Sequence, residues 1–259
     1  MELDFKTISH FRDIGGEMTK DGRAIKHNLI FRSGELTHVS KQEQGKLHNL
    51  NIKTVYDLRS EKEQVSNPDV KGSYDIVSCP LAKPSFKTDV KYQNPINFMD
   101  RVKNANESYY NYSKLNFAKD YLEFAYNIEA ISKIIESLDR HEVFLYHCFG
   151  GKDRTGVISM LIMLFLGCDY ETCKAHYMYH SVITVEEEKA YIEMLKKNNF
   201  NEAGIKISQY FFEVSEELFD CAWYSIFDVY NTIEDYLYDL FNVDMSRINN
   251  WREFYLENI

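Results

Sequence analysis

The chain has 259 residues, of which 44% are hydrophobic and 15% aromatic. That length and apolar content suffice for a full core, and a single domain over residues 1–259 is expected. Forty acidic side chains against 30 basic ones give a net charge of −10, which argues against nucleic acid or a polyanionic membrane surface as a general partner. The most apolar run, 157–166, is too short to cross a bilayer, and the first residues lack the basic start and apolar stretch of a signal peptide. A cytoplasmic protein with no stable membrane insertion is expected, with export by an unrecognised signal left open.

In chain order, Asp21 and Gly22 make a hairpin-type turn between short β-like stretches, with Leu29, Ile30 and Phe31 as the returning strand. A helix starts at Ser40, which has capping-box spacing to Glu43, and Leu47 with Leu50 would face the core. Residues 54–58 and 76–81 read as core strands, 121–138 as a helix and 143–146 as a buried parallel strand. Residues 83–116, rich in Asn, Lys and Tyr, are the least regular segment. They follow a strand whose carboxyl end should open toward the site, and read either as a lid or as a solvated surface connection. Residues 155–166 are apolar almost all round, as in a central helix, and Gly167 is placed to end it. From Thr184 onward the chain reads as nearly all helical, with Thr184 and Glu187 at capping-box spacing and amphipathic runs over 185–196 and 207–240. Strands alternating with helices imply an α/β fold with a mostly parallel central sheet flanked by helices and a largely helical C-terminal part.

The chemistry concentrates between strand 143–146 and helix 155–166, where the chain runs His147-Cys148-Phe149-Gly150-Gly151-Lys152-Asp153-Arg154-Thr155-Gly156. Gly150 and Gly151 allow backbone angles that turn consecutive N–H groups toward one point, at a helix N-terminus. Unpaired amides and the positive end of the helix dipole favour a bound dianion there, and they equally favour a thiolate at Cys148. Arg154 supplies a planar fork able to hold two phosphate oxygens, and Lys152 adds a second cation. Thr155 could donate its hydroxyl to the sulfur when water releases the phosphoryl group. Phosphate binding is therefore expected from residues 149–154: Phe149, Gly150, Gly151, Lys152, Asp153 and Arg154.

This loop resembles the signature of cysteine-dependent tyrosine phosphatases. Its Lys-Asp-Arg variant is similar to that of an atypical bacterial branch, the tyrosine/serine phosphatases of PtpB-like and LipA-like type. Phe11-Arg12-Asp13-Ile14-Gly15-Gly16, Phe31-Arg32-Ser33-Gly34-Glu35-Leu36 and Tyr56-Asp57-Leu58-Arg59-Ser60 each match an upstream block of that family, and residues 218–256 follow its helical tail. The resemblance implies a phosphatase fold, action on phosphotyrosine proteins or phosphoinositides, inorganic phosphate as product, and no cofactor or metal. Better-known tyrosine phosphatases carry a general-acid aspartate in a Trp-Pro-Asp string, which is absent here: Trp223 and Trp251 are followed by Tyr and Arg. In the resembled family the acid lies inside the loop and maps onto Asp153. A carboxyl beside a bound dianion resists ionisation, while Lys152 and Arg154 oppose that effect. The bland alternative is an Asp153 that caps amides of its own loop, and Asp57 and Asp69 are rivals for the acid.

His147, next to the nucleophile, is expected to orient the loop rather than act as a base. Arg12, Asp13 and Arg59 would brace the loop or touch substrate, although internal ion pairs serve structure as readily. Cys173, His176 and His180 have helical spacing suited to a metal, but no fourth ligand is apparent and a packing role is preferred. The five cysteines, at positions 79, 148, 168, 173 and 221, form no paired framework, in keeping with a reducing compartment. Three functions follow in order: a protein tyrosine phosphatase working through a phosphocysteine, a phosphoinositide phosphatase in which Lys152 contacts a further ring phosphate, and a phosphate-binding module without turnover.

Overall fold

The computed structural model describes residues 5–81, 101–179 and 185–259. Its central sheet has five strands in the order β1-β3-β6-β4-β5, formed by β1 (Arg12–Asp13), β3 (Ile30–Ser33), β6 (Phe144–His147), β4 (Thr54–Asp57) and β5 (Asp75–Ser78). Only β1 runs antiparallel, at the edge; the other four are parallel. This is the expected α/β class.

The strand period of two explains how the sheet fills both of its faces. Phe31, Leu145 and Val55 lie in register and pack beneath α1 (Lys41–Asn49) with Leu36, Val39 and Leu47. Ile30, Phe144, Tyr146 and Tyr56 point the other way, into the larger core. That core is built on α4 (Ile128–Asp139), α5 (Asp153–Leu166) and α11 (Met245–Tyr255). A strand buried on both faces needs a continuous apolar run, which is what 143–146 supplies. Helix α5 is buried from Thr155 to Leu166, and Gly167 ends it in the left-handed conformation with φ 102°, as its sequence led us to expect.

Register places three strand ends side by side, since His147 lies opposite Ser33 on one side and Asp57 on the other. The loops after β3, β6 and β4 therefore converge at one carboxyl edge, where open α/β sheets bind ligands. After β4, α2 (Glu61–Ser66) begins with a full capping box between Ser60 and Glu63. Opposite the catalytic loop stand α3 (Glu107–Phe124) and α6 (Tyr170–Met178). Helix α3 packs on α8 (Glu202–Phe212) and α9 (Glu216–Phe227); α7 (Val185–Lys197) and α10 (Ile233–Phe241) complete the helical part.

Several expected elements differ. Residues 107–116 are helical and belong to α3, because Asn106 caps it through the Tyr109 amide and Tyr109 and Tyr110 pack against Val102 and Ile207; a polar composition hid that face. The remaining part of the supposed lid, 83–100, and Thr184 and His180 lie outside the described residues. The run 121–138 is two helices, broken by Asn127, whose side chain caps α4 at the Ala130 amide and donates to the carbonyls of Pro80 and Leu81. The run 207–240 is three, with breaks after Phe212 and after Phe227.

The turn at Asp21-Gly22 is present, with Gly22 at φ 84°, but its returning arm is β2 (Arg23–Ile25). That arm pairs with a C-terminal strand, β7 (Leu256–Asn258), in what reads as a helical tail, while β3 enters the main sheet. Expected strand 76–81 is shifted to 75–78, and the Ser40–Glu43 box is half made: Ser40 caps the Glu43 amide and its hydroxyl donates to the Glu43 carboxylate, which takes the backbone amides of Lys6 and Thr7 in place of that of Ser40. Among the described residues no helix is long and apolar enough to cross a membrane.

Candidate active site

Cys148 follows β6 directly and is buried. The chain then curves through Phe149 to Lys152 and enters α5, whose N-cap residue Lys152 makes no side-chain capping bond. The first amides of this helix are therefore left for an anion. Gly151 takes φ 69°, and a Cβ there would stand 2.5 Å from the Gly34 nitrogen, so the close approach of this loop to the β3 loop requires glycine. Gly150 has ordinary φ and open space at its missing side chain. The Phe149 carbonyl accepts from the Glu35 amide at 3.0 Å, and the residue is 56% exposed.

Arg154 projects from the first turn of α5 and is gripped by Glu63, with Nη1 donating to Oε2 at 2.8 Å and Nη2 to Oε1 at 3.0 Å. Burial opposes its charge, but the Glu63 bonds and the neighbouring Cys148 and Asp153 charges raise the guanidinium above its ordinary value. Burial likewise works against an ionised Glu63, yet Arg154 and the Ser60 hydroxyl and amide hold its carboxyl at about 2. The planar fork is thereby fixed before any phosphate arrives. Glu63 was not singled out from sequence, although its spacing from Ser60 marks it as the far end of a capping box.

Behind the nucleophile, His147 is fully buried, with Nδ1 3.2 Å from the Cys148 carbonyl and Nε2 2.9 Å from Asp69 Oδ2. Asp69 also receives the Leu36 amide and the Arg59 guanidinium; burial raises its carboxyl, but His147 and Arg59 outweigh this and the net shift is downward. Arg59 is enclosed by carboxylates: Asp57 at 2.7 Å, Asp69 at 3.0 Å and Glu35 at 2.9 Å. Asp57 and Asp69 are thus both ion-paired with Arg59. Asp57, Asp69 and His147 would also have the spacing of a cation site, but the Arg59 guanidinium already bonds both carboxylates.

Asp153 opens α5 and accepts no backbone amide, so the capping alternative fails among the described residues. Its Oδ1 instead receives the Tyr121 hydroxyl of α3 at 2.5 Å and lies 3.3 Å from the Lys152 ammonium. The Tyr177 hydroxyl of α6 in turn stands 2.7 Å from that of Tyr121. Burial, then the Asp153 charge, holds Tyr121 well above the ordinary phenol range, so it stays a donor. Tyr121 thus occupies Oδ1 of Asp153 and not Oδ2. Next to Tyr121, Asp120 is exposed to solvent on one side, while partial desolvation and the Glu123 charge raise its carboxyl to about 6 against the pull of Arg154. Neither residue stood out in the sequence, because only the packing of α3 on α5 brings them to the loop.

Other expectations are redirected. The Lys152 ammonium bonds the carbonyls of Phe211 at 2.7 Å and Glu213 at 2.9 Å, closing the C-terminus of α8; only its backbone belongs to the anion site. Arg12 bonds the carbonyl and ring of His176 in α6 and stacks on Tyr179. Asp13 accepts from the Gly15 and Asn28 amides and faces His27. Neither braces the catalytic loop. His176 is buried and bonded by Arg12 and Glu17, and Cys173 is buried in the same helix; the third member of that spacing, His180, lies outside the described residues. The Thr155 hydroxyl is buried without a hydrogen-bond partner among the described residues, which leaves its proton available.

A buried cysteine at a strand end, an uncapped helix N-terminus and an immobilised arginine fork at one sheet edge define a cysteine-dependent phosphatase. The chain belongs to the tyrosine phosphatase family, whose model matches residues 3–257. It is 24% identical over 252 residues to a protein of Cupriavidus necator whose name assigns it provisionally to the tyrosine-protein phosphatases, covering 95% of this chain and 86% of that one. It is also 24% identical over 267 residues to the triple specificity protein phosphatase PtpB of Mycobacterium tuberculosis, covering 94% and 95% of the two. Among solved structures it is similar to P. aeruginosa TpbA, with 12% identity, a TM-score of 0.34, and 72% and 91% coverage.

Proposed function

We propose that this tyrosine phosphatase acts on phosphotyrosine in proteins, with the following division of labour. The Cys148 sulfur attacks phosphorus in line with the departing phenol oxygen. The Arg154 fork and the amides of residues 149–154 hold the three equatorial oxygens. Asp153 gives a proton from Oδ2 to the leaving oxygen, and water then cleaves the phosphocysteine to release inorganic phosphate. The Thr155 hydroxyl, unclaimed among the described residues, donates a hydrogen bond to the departing sulfur, which leaves as the thiolate. His147 and Asp69 orient the loop without touching substrate, and the reduced state that Cys148 needs fits a cytoplasmic setting.

The observation that carries this reading is the two-bond clasp of Glu63 on Arg154 beside Cys148, since a fork held rigid matches the trigonal transition state better than the ground state. The exposed Phe149 favours an aromatic ester. A phosphoinositide would need Lys152 at a second phosphate, and that ammonium is engaged at α8, so it ranks second; the name of PtpB supports breadth beyond tyrosine. Turnover of phosphotyrosine peptides, phosphoserine peptides and soluble inositol phosphates, with Cys148→Ser as blank, decides among them. Fastest release from phosphotyrosine is expected. Faster release from inositol phosphates would overturn the ranking, and release from none would leave a binding module.

A further inference from the structure

Arg32 is fully buried in β3, on the face of the sheet that carries Ile30, Phe144 and Tyr146 into the larger core. The other internal guanidiniums have carboxylate partners or a mixed setting. Arg59 has three carboxylates and Arg154 has Glu63, while Arg12 holds His176 with Glu17 nearby. Arg32 makes a single hydrogen bond, from Nη2 to the Gly151 carbonyl at 2.8 Å, and its Nε and Nη1 have no partner among the described residues. Its cross-strand neighbours are Arg12 on one side and Tyr146 on the other.

A guanidinium does not shed its proton inside a protein, and a buried charge is retained only against an opposite one. The titratable and charged groups facing Arg32 are Tyr146 of β6, Cys148 of the catalytic loop, Tyr177 of α6, Tyr121 of α3, Arg12 of β1 and His10. The tyrosines hydrogen-bond as neutral phenols to Ser159, to Asp153 and to each other, and Arg12 and His10 carry the wrong sign. Cys148 is the one group in this set that forms an anion in its working state.

We infer that Arg32 is the internal counter-ion of the Cys148 thiolate: a positioning residue on the strand beside Tyr146, two residues before the nucleophile, whose charge favours the ionised sulfur while its bond to the Gly151 carbonyl ties the loop to β3. This rests on Cys148 being the nucleophile. Burial pulls the guanidinium down, and Tyr146 and Cys148 lead the groups that pull it back, as this arrangement requires. A lone cation buried under a phosphate loop would otherwise be a cost with no return.

The test measures iodoacetamide alkylation of the Cys148 peptide by mass spectrometry at pH 6 and pH 9.5, in wild type, Arg32→Gln and Arg32→Lys. Gln keeps a donor for the Gly151 carbonyl but removes the charge; Lys keeps the charge. Expected is about a tenfold slower reaction at pH 6 for Arg32→Gln, equal rates at pH 9.5, and recovery of the pH 6 rate in Arg32→Lys. Equal rates for wild type and Arg32→Gln at pH 6 would overturn the assignment. Wild-type alkylation of Cys148 that phosphate fails to block would instead overturn the nucleophile reading, so the two failures are distinguishable. Should Arg32→Gln not fold, the same pH 6 and pH 9.5 alkylation rates are compared in Arg32→Met and Arg32→Lys. A pH 6 rate lowered in Arg32→Met alone supports the pairing, and equal pH 6 rates in the two refute it.

Discussion

Tyr121 holds Oδ1 of Asp153, the proposed proton donor, and one residue before that tyrosine Asp120 carries a carboxyl raised to about 6. Both are thus near the loop, but only Asp153 sits on the helix that begins at the anion site. Asp153→Asn is expected to slow alkyl phosphates by about 10²-fold or more and to spare aryl phosphates with good leaving groups, because a good leaving group needs no proton. Measured leaving-group dependence checks this, and the same selective loss in Asp120→Asn in place of Asp153→Asn would move the role to α3. Glu63 both clasps Arg154 and caps α2 through Ser60. Glu63→Gln keeps the capping bond to Ser60 within reach but loosens the fork, so kcat/KM should fall about 10²-fold as the fork is misplaced, chiefly in kcat, with vanadate affinity falling in parallel.

At the scale of elements, Lys152 shows how one side chain ends a helix and steadies a loop together. Its ammonium lies on the last carbonyls of α8, where the helix dipole is negative. Lys152→Met should therefore lower stability by about 1 kcal/mol, read as a drop in unfolding midpoint, with KM for a phosphotyrosine peptide little altered. A large rise in KM for inositol phosphates alone would return Lys152 to substrate recognition. The same bond accounts for a misread element: an amphipathic run that looks continuous from 207 to 240 stops after Phe212. Its carbonyls have a partner 60 residues away in the fold's other half, which no periodicity records. Asn127 acts alike, ending one helical run by capping the next and tying it to Pro80 and Leu81.

For the whole molecule, pH acts through carboxyls shifted in opposite directions. Glu63 is ionised more readily in the folded chain than in the unfolded one, so the stability it contributes is complete above the ordinary glutamate range and is lost as pH falls toward about 2. Asp120 holds its proton more tightly when folded, so its ionisation opposes folding increasingly as pH rises from the ordinary aspartate range to about 6. Unfolding midpoints should fall from pH 5 to pH 3 in wild type and fall less in Glu63→Gln. Asp120→Asn should raise the midpoint at pH 7 and leave it nearly unchanged at pH 3. A pH profile identical in all three proteins would contradict both assignments.

The sequence by itself determined the catalytic loop, its strand and helix, the parallel sheet and the family, because the anion nest is contiguous: cysteine, glycines and arginine act through backbone geometry set by their own neighbours. The partners of the charges were decided by tertiary structure. Arg154 could have met any of 40 acidic side chains, and strand order selected Glu63; Arg59 took Asp57 and Asp69, leaving Asp153 as the carboxyl at the loop; Lys152 went to a helix end. Such choices depend on which strand ends lie side by side, and on which helix covers them, a property of long-range packing to which local spacing is blind.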